Sequence, residues 1–396
     1  MYRGNWLSWG STGLVFAMVC FSAPWPKNAQ KSEGVNSNSW RVAEPIRYEN
    51  LTVFPVLSKQ LVDTASFVTL DDALAAGQVV VTENGSEAIR RSRDGYPVAT
   101  PQQHGASVNQ LVLINRGSKP LLLLGGELVS GGKQDRIISK DRIVQPGAAP
   151  LPLDVFCVEE GRWSTGAQFS AAKLMVHPSV REKAVVDQAQ GKVWAAVRNG
   201  TTASGLSGGV VAPASPPPAP GETTTTAQTA QAVVISPQEL NSITATEAPT
   251  KSYARLYQSS RVGIPTEAFA EQLQKRFSRA TANLKGEYVV GVVVAYGGEV
   301  AWSDIFASPA LFERYWPKLL RSYVVEALTR PKTTEQASID DAREFLQPIV
   351  GHESSETEPA AYTLKQVTQG RYVEMVLEAL RPTEITLHVL KVRRTS

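Results

Sequence analysis

The sequence has few cysteines, since Cys20 lies in an apolar stretch near the N-terminus and Cys157 is the only other one. If the N-terminal stretch is removed by processing, a single thiol remains. That excludes an intramolecular disulfide and a metal site built from several cysteines. The residues around Cys157, from Val155 to Val158, are apolar. We therefore expect a small buried side chain at Cys157 rather than a nucleophile.

An excess of charge of one sign is also missing. The chain of 396 residues has 40 Lys and Arg against 37 Asp and Glu, which leaves a formal charge of +3. So small and evenly spread a charge does not support binding driven by counterion release, and we predict no nucleic-acid partner. With 42% apolar and 19% charged residues, the composition is that of a globular protein.

Local catalytic motifs are absent as well. The histidines have neither close spacing nor the His-Glu-x-x-His pattern of a zinc site; they are His104, His177, His352 and His388. The chain contains no G-x-S-x-G elbow and no G-x-G-x-x-G fingerprint. We predict no metal and no cofactor, although a metal site assembled from distant parts of the chain stays open.

No apolar run is long enough to span a bilayer, which takes about 20 residues. The apolar run from Gly13 to Phe21 has nine residues, follows Arg3 and precedes the small residues Ser22 and Ala23. This pattern is typical of a signal peptide, so residues 1–25 are assigned to export, with cleavage near residue 22. The expectation is a periplasmic or extracellular protein without a stable membrane span once the signal is removed. An uncleaved signal that serves as an anchor is the alternative.

The rest of the chain divides by composition into five further segments. Residues 26–43 are predicted to be a disordered tether, and 44–198 a β-rich N-terminal part. Residues 199–250 contain no Lys, Arg or aromatic residue but have seven Pro, five Gly and ten Thr, which predicts a disordered insertion. Residues 251–330 form a C-terminal part, and 331–396 a helix plus terminal strands. The expected fold class is α+β, with a sandwich- or barrel-like N-terminal lobe packed against a mixed α/β C-terminal lobe.

Periodicity predicts the main elements. Val108–Ile114 and Leu121–Leu124 are expected to pair as a hairpin, and Ser179 with Glu182 has the form of a capping box for a helix that continues to Val197. Further helices are predicted around residues 269–277, after Ser308-Pro309 with a kink or break at Pro317, and over 340–345. Strands are predicted at 288–295, 362–367, 372–377 and 385–392.

The most unusual stretch is the Gly-rich segment, Gly125–Arg136, which has four glycines in its first eight residues. It is not a phosphate loop, because Glu127 stands where that motif needs its first glycine and Gln134 replaces the hydroxyl residue. Glu127 is a candidate catalytic carboxylate, and Lys133, Gln134, Asp135 and Arg136 are candidate ligand-binding residues. The structural alternative is a turn whose charges form a solvated edge or an internal ion pair.

Two other stretches contribute candidates. Glu159, Arg162 and Trp163 end a predicted strand near the Gly-rich segment and are candidate ligand-binding residues. Asp304 follows a predicted buried strand, at a position where open sheets often present ligand groups, and is the second candidate catalytic carboxylate. A buried turn and a structural salt bridge are the respective alternatives.

Several motifs resemble the ARG and Rhodanese-Phosphatase-superfamily-associated Protein domain family. They are Gly126-Glu127-Leu128, Gly132 to Arg136, Val155 to Glu159 and Gly161-Arg162-Trp163. Gly297 to Val300, Asp304 to Ser308 and Leu319 to Tyr323 are also similar to it. The resemblance implies a genetic association with ADP-ribosylglycohydrolase-like and phosphatase-like proteins but no established reaction. It makes an ADP-ribose-type ligand conceivable, with Lys133 and Arg136 as its anion contacts.

Two functions are therefore compared. The first is an exported module that binds a small molecule or a protein, or has a structural role, without catalysis. The second is a hydrolase of a phosphorylated or glycosidic, ADP-ribose-like substrate, with Glu127 and Asp304 as carboxylates and Lys133 and Arg136 as electrostatic clamps. The hydrolase hypothesis requires these four side chains to converge.

Overall fold

The computed structural model describes residues 40–83, 110–158, 168–199, 253 and 262–395. The predicted signal peptide, the tether up to residue 39 and the insertion beyond residue 199 lie outside these ranges. The described helices are α1 (Leu70–Ala75), α2 (Pro178–Val185), α3 (Gln190–Asn199), α4 (Gly263–Thr281), α5 (Pro309–Thr329) and α6 (Ile339–Phe345). The described strands are β1 (Trp40–Val42), β2 (Ile46–Tyr48), β3 (Leu51–Ser58), β4 (Val68–Thr69), β5 (Val79–Glu83), β6 (Gln110–Asn115), β7 (Leu121–Leu123), β8 (Glu127–Gly131), β9 (Arg136–Ile138), β10 (Arg142–Val144), β11 (Leu151–Cys157), β12 (Phe169–Met175), β13 (Tyr288–Tyr296), β14 (Glu299–Phe306), β15 (His352–Glu358), β16 (Tyr362–Gln369), β17 (Tyr372–Ala379) and β18 (Ile385–Arg393).

A nine-stranded antiparallel sheet joins the two ends of the described chain. Its order is β1-β3-β13-β14-β18-β17-β16-β15, and β2 pairs with the free part of β3. β3 is buried along its whole length, and β13 is buried from Val290 onward. Both strands are rich in β-branched residues, as expected of strands covered on both faces.

Helices cover the two faces of this sheet unequally. Val292, Val294 and Tyr296 of β13 belong to the largest core, together with α4 and α5, whereas the alternating Val293 and Ala295 belong to a smaller core with α6. Because successive side chains of a strand point to opposite faces, α5 and α6 lie on opposite sides of the sheet. α5 also packs against α4, where Trp316 stacks on Phe277 with ring centroids 4.6 Å apart.

The N-terminal part of the chain forms two further sheets. One has the order β12-β8-β9-β11-β6-β5, and the other consists of β10, β7 and β4, with β4 and β7 parallel. Their strands enclose a second core that includes Leu111, Leu113, Leu121 and Leu123. Sheets and helices are segregated rather than alternating along the chain, so the α+β class is confirmed.

The predicted hairpin between Val108–Ile114 and Leu121–Leu124 is wrong. β6 pairs with β5 and β11, whereas β7 pairs with β10 and β4. Asn115 explains the change of direction, because its side-chain amide donates to the carbonyls of Lys119 (3.0 Å) and Val144 (2.9 Å). The turn therefore delivers β7 to the layer of β10 instead of folding it back on β6.

A helix begins at Pro178, next to the predicted start at Ser179, but the predicted capping box is wrong. The N-cap is His177, with Pro178 in the first turn, and Ser179 Oγ instead donates to Glu326 Oε1 at 2.6 Å. The chain leaves the helical conformation after Val185, and Gln188 has a φ of +47°, so α2 and α3 are separate helices. The Ser179 hydroxyl therefore bonds to the distant, buried carboxylate of Glu326 instead of capping the helix.

Most other elements agree with the sequence-based predictions. Ser308 Oγ accepts a hydrogen bond from Leu311 N as the N-cap of α5, and α5 runs to Thr329 without being split at Pro317. β1 lies in the last residues of the predicted tether, so Trp40–Val42 belong to the fold. β15 was not predicted because its seven residues are all exposed and polar, which leaves no alternation to detect.

Candidate functional site

The Gly-rich segment begins with a turn whose backbone groups are all bonded within the protein. Leu124 N donates to Glu127 Oε2 at 2.6 Å, and Gly125 N donates to Asp141 Oδ1 at 2.7 Å. Gly126 N donates to the carbonyl of Ile138, and Glu127 N to that of Leu124. Two N–H groups that would face the anion in a phosphate cradle are thus occupied by carboxylates of the protein itself.

In the second half of the Gly-rich segment, backbone N–H groups are likewise bonded to acceptors of the protein. Gly131 N donates to Asp135 Oδ1 at 3.3 Å, Ser130 Oγ donates to the same atom at 2.8 Å, and Lys133 N donates to Glu83 Oε1 at 2.8 Å. Gly132 N donates to the carbonyl of Gln168. Glycine is needed here because Gly131 and Gly132 have positive φ, and a Cβ on Gly132 would lie 2.2 Å from the ring of Phe169.

The charged residues of this half are largely buried. Gln134, Asp135 and Arg136 are each at most 2% exposed, while Lys133 is half-buried. Arg136 NH1 donates to the Gln134 carbonyl at 2.8 Å, and its NH2 lies 3.6 Å from Glu83 Oε1. These contacts lie within the β-rich part of the protein and use the guanidinium as an internal brace.

Glu127 belongs to a buried ion-pair cluster, here called the Lys318 cluster, which consists of Lys318, Glu127 and Asp71. Lys318 Nζ, on α5, lies 2.5 Å from Glu127 Oε1 and 2.8 Å from Asp71 Oδ2. The ammonium also lies 4.5 Å from the ring centroid of Tyr315. Burial opposes its charge, but the two carboxylates outweigh burial and raise the pKa of Lys318. Desolvation outweighs the attraction of Lys318 and raises the pKa of Glu127.

Asp304 lies at the centre of a second buried group, the Asp304 cluster, which consists of Asp304, Arg181, His388, Asp141, Tyr323 and Trp302. It lies inside β14 rather than after a strand at the sheet edge, so its expected position is corrected. Arg181 NH1 lies 2.8 Å from Asp304 Oδ1 and 2.9 Å from Oδ2. His388 Nε2 lies 3.0 Å from Oδ1, Trp302 Nε1 donates to Oδ2 at 2.8 Å, and Tyr323 OH donates to Oδ2.

The cluster continues from His388 to the Gly-rich segment. His388 Nδ1 lies 2.5 Å from Asp141 Oδ2, and the other oxygen of Asp141 accepts the hydrogen bond from Gly125 N. Arg181 Nε donates to the carbonyl of Gly125 at 2.8 Å. Gly125 is therefore held by both ends of the Asp304 cluster. Arg181 and Asp141 connect Gly125 to Asp304 on β14 and to His388 on β18.

The charges of the Asp304 cluster balance. All six side chains are at most 2% exposed. Burial opposes the charge of Asp304, but Arg181 and His388 outweigh it and hold the pKa of Asp304 far below its usual value. Burial likewise opposes the charge of His388, but the two aspartates raise its pKa to about 9. Two carboxylates thus face one guanidinium and one imidazolium, the compensation that buried charges require.

The candidates from sequence are brought together only in part. Glu127 and Asp304 lie in different clusters, and both clusters contact the turn Leu124–Glu127. Lys133 and Arg136 contact Glu83 instead of either cluster. Glu159, Arg162 and Trp163 lie outside the described residues, and so the assignment of ligand-binding residues stays a prediction.

Sequence reasoning did not find Arg181, His388 or Asp141. Arg181 lies in a helix whose neighbours are mostly buried, and an arginine on the buried face of a predicted helix is a signal that could have been used. His388 occupies an inward position of the alternating strand Ile385–Arg393 and gives the same signal.

Among the residues that the structure describes, no group of three or more His, Cys, Asp or Glu is arranged to hold a metal ion. In those same ranges no helix is both long and apolar enough to cross a membrane.

The fold and the two clusters define an α+β protein in which internal ion pairs fix a Gly-rich turn against the central sheet. Residues 39–390 match the ARG and Rhodanese-Phosphatase-superfamily-associated Protein domain, and the chain belongs to that family. The family is associated with the rhodanese and phosphatase superfamily, and it has no assigned function. No curated protein and no solved structure matches the chain.

Proposed function

We propose that this protein is an exported module that binds a small molecule or another protein, and that the charged residues of its Gly-rich segment support the fold rather than catalysis. The observation that carries the proposal is the saturation of Asp304. A carboxylate offers about four lone-pair positions, and four donor groups of the protein already contact Asp304. No position is left for a substrate proton or an attacking water.

Glu127 supports the same conclusion. One of its oxygens accepts from Lys318 and the other from Leu124 N, and its side chain is almost fully buried. A general base needs a proton within hydrogen-bond reach in a bound substrate. Both carboxylate oxygens of Glu127 are instead bonded to the Lys318 ammonium and the Leu124 N–H.

The alternative is a hydrolase of a phosphorylated or glycosidic, ADP-ribose-like substrate. It needs free N–H groups or cations for the phosphate. In the Gly-rich segment the N–H groups of Gly125 and Gly131 donate to carboxylates of the protein, as does the N–H of Leu124 just before it. A phosphate would have to displace those carboxylates from a buried turn, at the cost of leaving them uncompensated.

An activity test separates the two functions. Purified protein is incubated with ADP-ribose, p-nitrophenyl phosphate and p-nitrophenyl glycosides, alongside Glu127→Gln and Asp304→Asn, with circular dichroism to check that each variant is folded. We expect no turnover by any of them above a buffer blank. Turnover by the wild type that is lost in a variant that remains folded would establish the hydrolase instead.

The export part of the proposal rests on the N-terminal sequence, with Arg3 followed by the apolar run Gly13–Phe21. Expression of the full chain in a bacterial host, followed by fractionation and mass spectrometry of the N-terminus, tests it directly. We expect a mature chain that begins close to Ala23 in the periplasm or medium. An intact Met1 in the cytoplasmic fraction would contradict export.

A further inference from the structure

A polar cleft on the α6 side of the central sheet is separate from both ion-pair clusters. It has a volume of about 340 Å³, and its walls come from α6, the following loop and the ends of β14, β17 and β18. Pockets for small molecules begin at about 300 Å³, so the cleft has room for a ligand of roughly amino-acid size. None of the candidate site residues that the structure describes lines it.

The sheet wall of the cleft carries two cations. Lys391 and Arg393 are two positions apart on β18 and so point to the same face. Lys391 is only 2% exposed, yet its Nζ has two described partners, the carbonyl of Gln347 and, at 3.5 Å, Glu374 Oε2. An ammonium has three hydrogens. Among the described residues, one hydrogen of this nearly buried group lacks an acceptor, and Lys391 is one of the residues that line the cleft.

The helix wall carries two carboxylates. Asp341 and Glu344 are three positions apart on α6, which places them on the same side of the helix. Asp341 Oδ2 accepts from the N–H and the hydroxyl of Ser338, whereas the exposed Glu344 has no side-chain partner among the described residues. Negative charge therefore stands on one wall and positive charge on the other.

The floor between these walls is aromatic. Phe345 and Tyr372 pack edge to face with ring centroids 6.0 Å apart, and Tyr372 is 36% exposed, one of five exposed large hydrophobic side chains in the described ranges. Lys391 Nζ lies 5.7 Å from the ring of Phe345. An exposed aromatic surface between opposite charges is suited to an apolar group of a ligand that also carries both signs of charge.

Resting on the binding function proposed above, we propose that this cleft binds a small zwitterion of the α-amino acid type with an aromatic or large apolar side chain. Its carboxylate lies against Lys391 and Arg393, its ammonium against Glu344, and its side chain on Tyr372. The surrounding charges exclude a phosphate dianion, because Glu299 and Glu374 already pair with the two cations and the helix wall adds two more carboxylates. A ligand without a hydrogen-bond acceptor would leave the buried ammonium unsatisfied.

The test is isothermal titration of the full chain with L-phenylalanine and three analogues, up to about 10 mM, where a ligand with a millimolar Kd saturates. The analogues are L-phenylalaninamide, N-acetyl-L-phenylalanine and phenyl phosphate. We expect L-phenylalanine to bind and each analogue to bind at least about tenfold more weakly, since each loses a charge-assisted hydrogen bond or adds repulsion.

Glu344→Gln and Tyr372→Ala are expected to weaken L-phenylalanine binding at least about tenfold and about threefold, respectively. Glu378→Gln, on the same strand as Tyr372 but paired with Lys365 outside the cleft, is the matched control and is expected to bind normally. Binding that survives Glu344→Gln, equal binding of phenyl phosphate, or no binding of L-phenylalanine at 10 mM overturns the assignment of this cleft. Turnover in the hydrolase assay would instead refute the proposed function, so the two failures are distinguishable.

Discussion

Arg181 on α2 and Asp304 on β14 are 123 positions apart in sequence, and their charged groups meet at 2.8 Å with no exposure of either side chain. The pair fixes the helix against the central sheet and, through the Gly125 carbonyl, fixes the Gly-rich turn as well. Removing one member of such a pair leaves the other charged in a place without water, which costs more than an exposed ion pair is worth.

Glycine is required at position 126 by both its backbone and its surroundings. Gly126 has a φ of +97°, and an added Cβ would lie 2.6 Å from Cγ of Arg181, a stem that Asp304 holds in place. We expect Gly126→Ala to lower the free energy of unfolding by at least about 2 kcal/mol more than Gly147→Ala, as measured by urea denaturation. Gly147 also has a positive φ but no atom within 4 Å of the added Cβ, so it isolates the steric part. Equal effects of the two substitutions would show that Arg181 is free to move.

Lys318 is expected to be essential to its cluster. Lys318→Met leaves Glu127 buried opposite no cation, and we expect a loss of about 3–5 kcal/mol in the free energy of unfolding. The control is Lys275→Met, which removes an exposed pair with Glu271 and is expected to cost less than about 0.5 kcal/mol.

A double substitution tests whether the loss comes from the unpaired carboxylate. Combining Lys318→Met with Glu127→Gln removes both charges, and we expect the pair to cost clearly less than the sum of the two single changes. Additive costs would mean that Lys318 and Glu127 do not interact energetically.

Stability is expected to depend on the protonation of His388. An unfolded histidine titrates near pH 6.5, and the aspartates raise the pKa of folded His388 to about 9 despite its burial. The folded state therefore holds the proton more tightly, so the contribution is complete below about pH 6.5 and is lost as pH rises toward about 9. This pKa difference contributes about 3 kcal/mol to the free energy of unfolding at low pH.

Urea unfolding of the wild type, His388→Gln and His352→Gln at several pH values from 6 to 9.5 checks this. We expect the decline with pH to disappear in His388→Gln and to persist in His352→Gln, since His352 is exposed on β15. A wild-type decline that survives His388→Gln would assign the pH dependence to another group.

The sequence predicts those helix starts and strands that depend on residues close together in the chain. Ser308 before Pro309 marks the start of α5, and the β-branched run of β13 indicates a strand buried on both faces; the structure has both. Thr69 Oγ1 likewise accepts from Asp72 N as the N-cap of α1. Each of these features is decided within a few positions of the chain.

What the sequence does not predict depends on distant residues. His388 joins Asp304, 84 positions away, to Asp141, 247 positions away. Sequence periodicity does not predict these contacts of His388, because they depend on how β18 pairs with β14 and on where the turn before β10 lies. Ser179 shows the same limit, since its local pattern is a helix cap and its actual partner is Glu326.

We propose that Asp304 braces the fold, and the free energy of unfolding of Asp304→Asn measures that role. Asp340→Asn, which removes an exposed pair with Arg343, is the control. We predict a loss of about 3–5 kcal/mol for Asp304→Asn and less than about 0.5 kcal/mol for Asp340→Asn. An Asp304→Asn variant as stable as the wild type would contradict the account.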